Sequence, residues 1–194
     1  EDIEMDMRAA LHEWQIGEVL ALLPPTLLSS LEGITADGII SLEAHAQGVY
    51  SEDKMPIVDA HLVLKDGKGK YSALPYSFHS LALDADMHLD MQDEQQTMVQ
   101  IHDLRAHTSK SSLQGNGMVK DLLGNMWIDV QTNLDVNLAD ARYFLPEEML
   151  AEGRIKGKLG IQIHMNDVLE MALERGTING DLRLISVRYD ADGI

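Results

Sequence analysis

The sequence contains no cysteine in 194 residues. That absence removes a disulfide framework, a thiolate metal site and a cysteine nucleophile together. No apolar run approaches the roughly 20 residues that a membrane-spanning helix needs. Basic residues are scarce: 15 against 32 acidic ones leave a net charge of −17. Such a chain is a poor match for a nucleic-acid backbone or an anionic membrane surface, so no nucleic-acid partner is expected. Catalytic signatures are missing as well. There is no G-x-S-x-G, no G-x-x-x-x-G-K-[ST], no H-E-x-x-H and no G-x-G-x-x-G opening a helix after a strand. The chain therefore reads as a non-enzyme, with no cofactor and no metal.

What is present is alternation. Apolar residues make up 45% of the chain, ordinary for a globular protein. In Leu81–Met91, Leu81, Leu83, Ala85, Met87, Leu89 and Met91 share one side, with Asp84, Asp86, His88 and Asp90 on the other. A period of two sorts those residues at once, whereas a helix would mix them. Met126–Val136 repeats the pattern with Met126, Ile128, Val130, Leu134 and Val136 against Asp129, Gln131, Asn133 and Asp135. Weaker alternation marks strands over Glu1–His12, Gly38–Gly48, Val58–Leu64, Val99–Ile101, Leu113–Val119, Leu159–Met165 and Ile178–Arg188. Turns are expected at Asp66-Gly67, Asp93–Gln96, Asp121–Gly124 and Asp192-Gly193. Lys65, Lys68 and Lys70 then decorate a hairpin tip. Helical spacing appears at Ile16, Val19, Leu20 and Leu23, ended by Pro24-Pro25, and again over Leu138–Phe144.

Strand follows strand with no βαβ rhythm, so the fold class is mainly β: an antiparallel meander of about ten strands with two short capping helices. One-sided strands of this kind build a closed barrel, a sandwich, or a curved sheet whose apolar side lines a partial groove or half-barrel. Periodicity alone leaves all three open.

Part of the chain comes back. LLPPTLLSSLEGITADGIISLEAH at Leu22–His45 is echoed by FLPEEMLAEGRIKGKLGIQIH at Phe144–His164, about 120 residues on. Leu23-Pro24 matches Leu145-Pro146, Glu32-Gly33 matches Glu152-Gly153, and Gly38 matches Gly157. One domain over 1–194 is expected, with internal repeat units near 14–125 and 137–194. His45 and His164 occupy matched positions, which suggests a structural role at a strand end.

The chain resembles the AsmA family of bacterial envelope proteins. The residues that carry the resemblance are LALLP at Leu20–Pro24, L-x-G-I-x-x-x-G over Leu31–Gly38 and YSALPYSFHSL over Tyr71–Leu81. S-S-L-x-x-x-G-x-V-x-x-L-L over Ser111–Leu123 and DVNLADARYFLP over Asp135–Pro146 extend it to nearly the whole chain. The resemblance implies a periplasmic module in a Gram-negative bacterium, held at the inner membrane by a helix outside this chain. It implies a part in outer-membrane biogenesis and an apolar β-groove that carries phospholipid. The chain starts at Glu1 and shows no signal peptide, as expected of a processed product or a fragment.

Acyl chains need a continuous apolar surface, and a sheet with one apolar side supplies it. The residues expected to face lipid are Leu81, Leu83, Met87, Leu89, Ile128, Val130, Leu134, Leu159 and Ile161. The competing expectation is a protein–protein scaffold that assists outer-membrane protein assembly through its sheet edge, with envelope proteins as partners. The acidic side of Leu81–Met91 reads as a solvated face, because carboxylates two residues apart stand about 6–7 Å from each other, too far for one ion without a second strand.

Overall fold

The computed structural model describes residues 2–22, 33–51, 53–90, 92–141, 149–170 and 172–191. Nine strands form one sheet in strict chain order: β1 (Ile3–Gln15), β2 (Ile34–Tyr50), β3 (Ile57–Tyr71), β4 (Ser77–Leu89), β5 (Met98–His107), β6 (Ser112–Lys120), β7 (Trp127–Asn137), β8 (Met149–His164) and β9 (Thr177–Ala191). Every neighbouring pair is antiparallel. β1 and β9 do not pair with each other, so the sheet is an open meander and not a closed barrel. Among the described residues three short helices accompany it. α1 (Ile16–Leu22) packs on β1 and β2, α2 (Leu138–Ala141) on β7 and β8, and α3 (Met165–Leu169) on β8. None of these is long and apolar enough to cross a membrane.

Several expectations meet their residues directly. The Asp93–Gln96 turn is closed by Gln96 N donating to the Asp93 carbonyl at 2.9 Å, and the Asp121–Gly124 turn by Gly124 N donating to Asp121 at 3.2 Å. The turn at Asp192-Gly193, the stop at Pro24-Pro25 and the part of the expected second helix beyond Ala141 lie outside the described residues.

The Asp66-Gly67 turn is a correction. The pair lies inside β3, which runs on for 15 residues. Asp66 takes φ 51°, and three residues of β3 span two on each neighbour, so the pair makes a bulge. Aspartate followed by glycine serves a bulge and a hairpin turn equally, since both need a left-handed residue. Close approach fixes the partner: a Cβ at Gly38 on β2 would stand 2.8 Å from the Gly67 Cα. Lys65, Lys68 and Lys70 consequently sit along a strand, and Lys65 Nζ lies 3.7 Å from the Glu13 carboxylate. A second bulge, with Glu13 at φ 56°, slips β1 against β2 between Leu11 and Trp14 and turns Trp14 to the side of Ile40.

The sheet has almost no interior. Among the described residues only Ala85, Leu138 and Ile163 are buried hydrophobics. The chain exposes 13169 Å², against about 9,200 Å² for a compact monomer of the same mass. No second layer covers the sheet among the described residues, so most side chains on its apolar side are half-buried and few are fully buried.

Candidate functional site

Directly paired residues in an antiparallel sheet point to the same side, so the register sorts every side chain by face. One row crosses all nine strands as Leu11, Leu42, Leu62, Ala85, Ile101, Gly117, Val130, Ile161 and Ile178. It holds no polar side chain. The row beside it reads Ala9, Ala44, Ala60, Met87, Val99, Val119, Ile128 and Ile163. On the other flank run Trp14, Ile40, Leu64, Leu83, Leu104, Gly115, Thr132, Leu159 and Gly180. Its single hydroxyl is neutralised locally: Thr132 Oγ1 donates to the Leu159 carbonyl at 3.1 Å. Eight interstrand steps make this apolar floor about 38 Å wide.

All nine residues expected to face lipid fall on that floor. Leu83 shares a row with Leu159, Met87 with Ile128, and Val130 with Ile161; Leu81 and Leu134 are joined through Ala106 and Leu113. Leu89 ends the row that starts at Met7 and passes Ala46 and Val58. The β4 set and the β7–β8 set are not in contact; β5 and β6 separate them and continue the surface.

The opposite face carries the charge, and here sequence reasoning missed the arrangement. Across β1 to β5 each of four histidines meets an aspartate on the next strand. His45 Nε2 lies 2.7 Å from Asp6 Oδ1, and His88 Nδ1 lies 2.6 Å from Asp59 Oδ1. Asp86 receives two rings, His61 Nδ1 at 2.7 Å and His102 Nε2 at 2.7 Å. His61 Nε2 also stands 3.8 Å from Asp84 Oδ1. His45 thus sits within β2 and not at a strand end. His164 does end β8, against the Trp127 ring at 4.8 Å between centroids. A depression of about 620 Å³ lies across β1 to β4, lined by Ala9, Ala44, Ala60 and Met87 of the floor together with the residues next to them in the chain. Among the described residues no three histidine or carboxylate groups converge to hold a metal ion.

The hydrogen bonds from His102 and then His61 hold the Asp86 carboxyl below its usual 3.8. On β7 and β8 the Arg154 guanidinium, and after it Lys156, lowers Asp135 in the same way. Arg154 Nε donates to Asp135 Oδ1 while its Nη2 donates to the Lys110 carbonyl at 2.9 Å, tying β8 to the β5–β6 loop. A depressed folded-state carboxyl stabilises the fold above its unfolded value, near pH 4, and that contribution is lost as pH falls through the folded value. Asp135→Asn should therefore lower the urea midpoint more at pH 7 than at pH 2. An equal loss at both pH values would show that the charge has no part in the effect.

Asp140 also escaped notice. It is 8% exposed in α2 and accepts from Thr108 Oγ1 at 2.8 Å and Ser111 Oγ at 2.7 Å. Thr108 and Ser111, from the connection between β5 and β6, thereby anchor α2. Comparison of the chain with protein-family models, with curated proteins and with solved structures finds no match.

Proposed function

We propose that this chain is a non-enzymatic module of bacterial envelope biogenesis, of the AsmA kind, whose apolar floor shelters phospholipid acyl chains. In this reading it works in the periplasm, and a helix outside this chain holds the full protein at the inner membrane. One observation carries the reading: a row of nine apolar or glycine positions crosses nine strands without a polar side chain, and no layer of the described residues covers it. Water contact over such an area is costly, and acyl chains relieve it. Each methylene that leaves water contributes roughly 0.8 kcal/mol. The floor, about 38 Å wide, exceeds the roughly 15 Å depth of one leaflet's hydrocarbon. Leu81, Leu83, Met87 and Leu89 form one part of the lipid wall and Ile128, Val130, Leu134, Leu159 and Ile161 the other. The resemblance over Leu20–Gly38, Tyr71–Leu81, Ser111–Leu123 and Asp135–Pro146 points the same way.

The test is mass spectrometry of organic extracts from the purified protein, set against a mock purification. Phospholipid at stoichiometric level is the expected result. Lipid no higher than the mock would sink the reading and put the scaffold function first. That second reading draws on the two strand edges, β1 and β9, each of which has one neighbour among the described residues.

A further inference from the structure

The two edges of the sheet differ in kind. β1 carries Glu4, Asp6 and Glu13 against Arg8 alone, and the Glu13 bulge breaks its line. Acidic groups and a bulge are the usual means of keeping an edge from pairing. β9 is undefended over its first half, where its one acid, Asp181, is balanced by Arg183. Its pairing with β8 runs from Thr177 to Ile185 without a slip, and the Ser186 bulge comes only afterwards. It contains no proline and no lysine. Ile178, Leu182 and Leu184 stand 49%, 41% and 63% exposed, on the same side as the apolar floor.

We propose that β9 is the edge on which a second copy of this chain docks, strand to strand and antiparallel, about a two-fold axis at Leu182. The register follows from the pleat and the charges. An axis between two residues would put the floor of one copy beside the polar face of the other, so the axis passes through a residue. At Leu182 it pairs that leucine with itself and Gly180 with Leu184 of the second copy. It also sets Asp181 opposite Arg183 of the second copy, twice. Shifting the axis to Asp181 or to Arg183 places like charges directly opposite each other, which is unfavourable on either side. The neighbouring registers are thus disfavoured by the same two residues that favour this one. The product is a sheet of twice nine strands whose apolar side continues across the join. This inference concerns the edge and stands apart from the lipid reading of the face.

Because the chain has no cysteine, single introduced cysteines report the geometry cleanly. Leu182→Cys should crosslink under mild oxidation to twice the 21.5 kDa chain mass. Light scattering of the unmodified protein over a dilution series should show the same dimer. Arg183→Asp, at an exposed position, should weaken that dimer by about tenfold or more, with the far-UV circular dichroism unchanged. Asp181→Arg combined with Arg183→Asp should restore it. A protein monomeric throughout the series overturns the proposal. So does crosslinking through Met7→Cys on β1, or through Val130→Cys on the floor, that equals or exceeds crosslinking through Leu182→Cys.

Discussion

Val130→Asp should abolish lipid retention while leaving a folded protein. Val130 lies in the uninterrupted row between Gly117 on β6 and Ile161 on β8. It is half-buried, and because no layer of the described residues covers the floor, a carboxylate there can still reach water in the empty protein. The fold therefore loses little. An acyl chain laid across the same row must instead displace that water, at a cost of several kcal/mol for an unpaired charge. Each methylene returns only about 0.8 kcal/mol, so retention should fall by at least about a hundredfold. Leu83→Asp, three strands away on the same face, should act alike. The measurement is bound phospholipid per chain, taken together with circular dichroism and thermal unfolding. Loss of cooperative unfolding in both variants would make these residues a core, and the proposed lipid wall would lose its support.

Gly157→Ala should be among the most destabilising single changes in the sheet. Gly157 sits on β8 between Leu134 of β7 and Leu182 of β9, with φ at +147°. A side chain rarely adopts that backbone, and the added Cβ would run into the Asp181 carbonyl oxygen, with the Leu182 Cα at 3.1 Å. Strain of this kind costs about 1–3 kcal/mol before the clash is counted. A total near 3 kcal/mol would lower Tm by about 6–12 °C in a chain of this size. Gly69→Ala is the control: its Cβ would meet the Thr35 carbonyl oxygen at 3.4 Å, an ordinary contact. Thermal unfolding of both variants decides the matter. Equal shifts would show that the loss came from glycine in general and not from the β8–β9 approach. Hydrogen exchange adds a second reading, since β9 amides should lose protection first.

The one-sided strands were legible because their signal is local. Leu81 to Leu89 and Ile128 to Val136 alternate within a single strand, and the face they build follows from that period alone. Joining β4 to β7 into one floor needed the register, which the alternation does not contain. The histidine–aspartate pairs were hidden for the same reason. Asp86 and His88 could be read as neighbours along β4, yet their partners His61, His102 and Asp59 come from β3 and β5. Asp66-Gly67 misled because a bulge and a turn ask for the same left-handed residue, and only the pairing on both sides distinguishes them. Asp140 gave no signal at all: its burial depends on Thr108 and Ser111 arriving from a loop about thirty residues earlier.

Every strand in this sheet pairs only with the strands before and after it in the chain. Such an arrangement behaves as a one-dimensional stack, in which stability adds up from neighbour to neighbour. The width of the sheet is then an adjustable quantity. A hairpin of two strands can be gained or lost between existing ones without rerouting the chain, provided each new strand keeps its period of two. Each such hairpin would add two strand spacings, close to 10 Å, to the apolar side. Evolution by tandem duplication would thus change how much this surface can span while leaving its architecture intact.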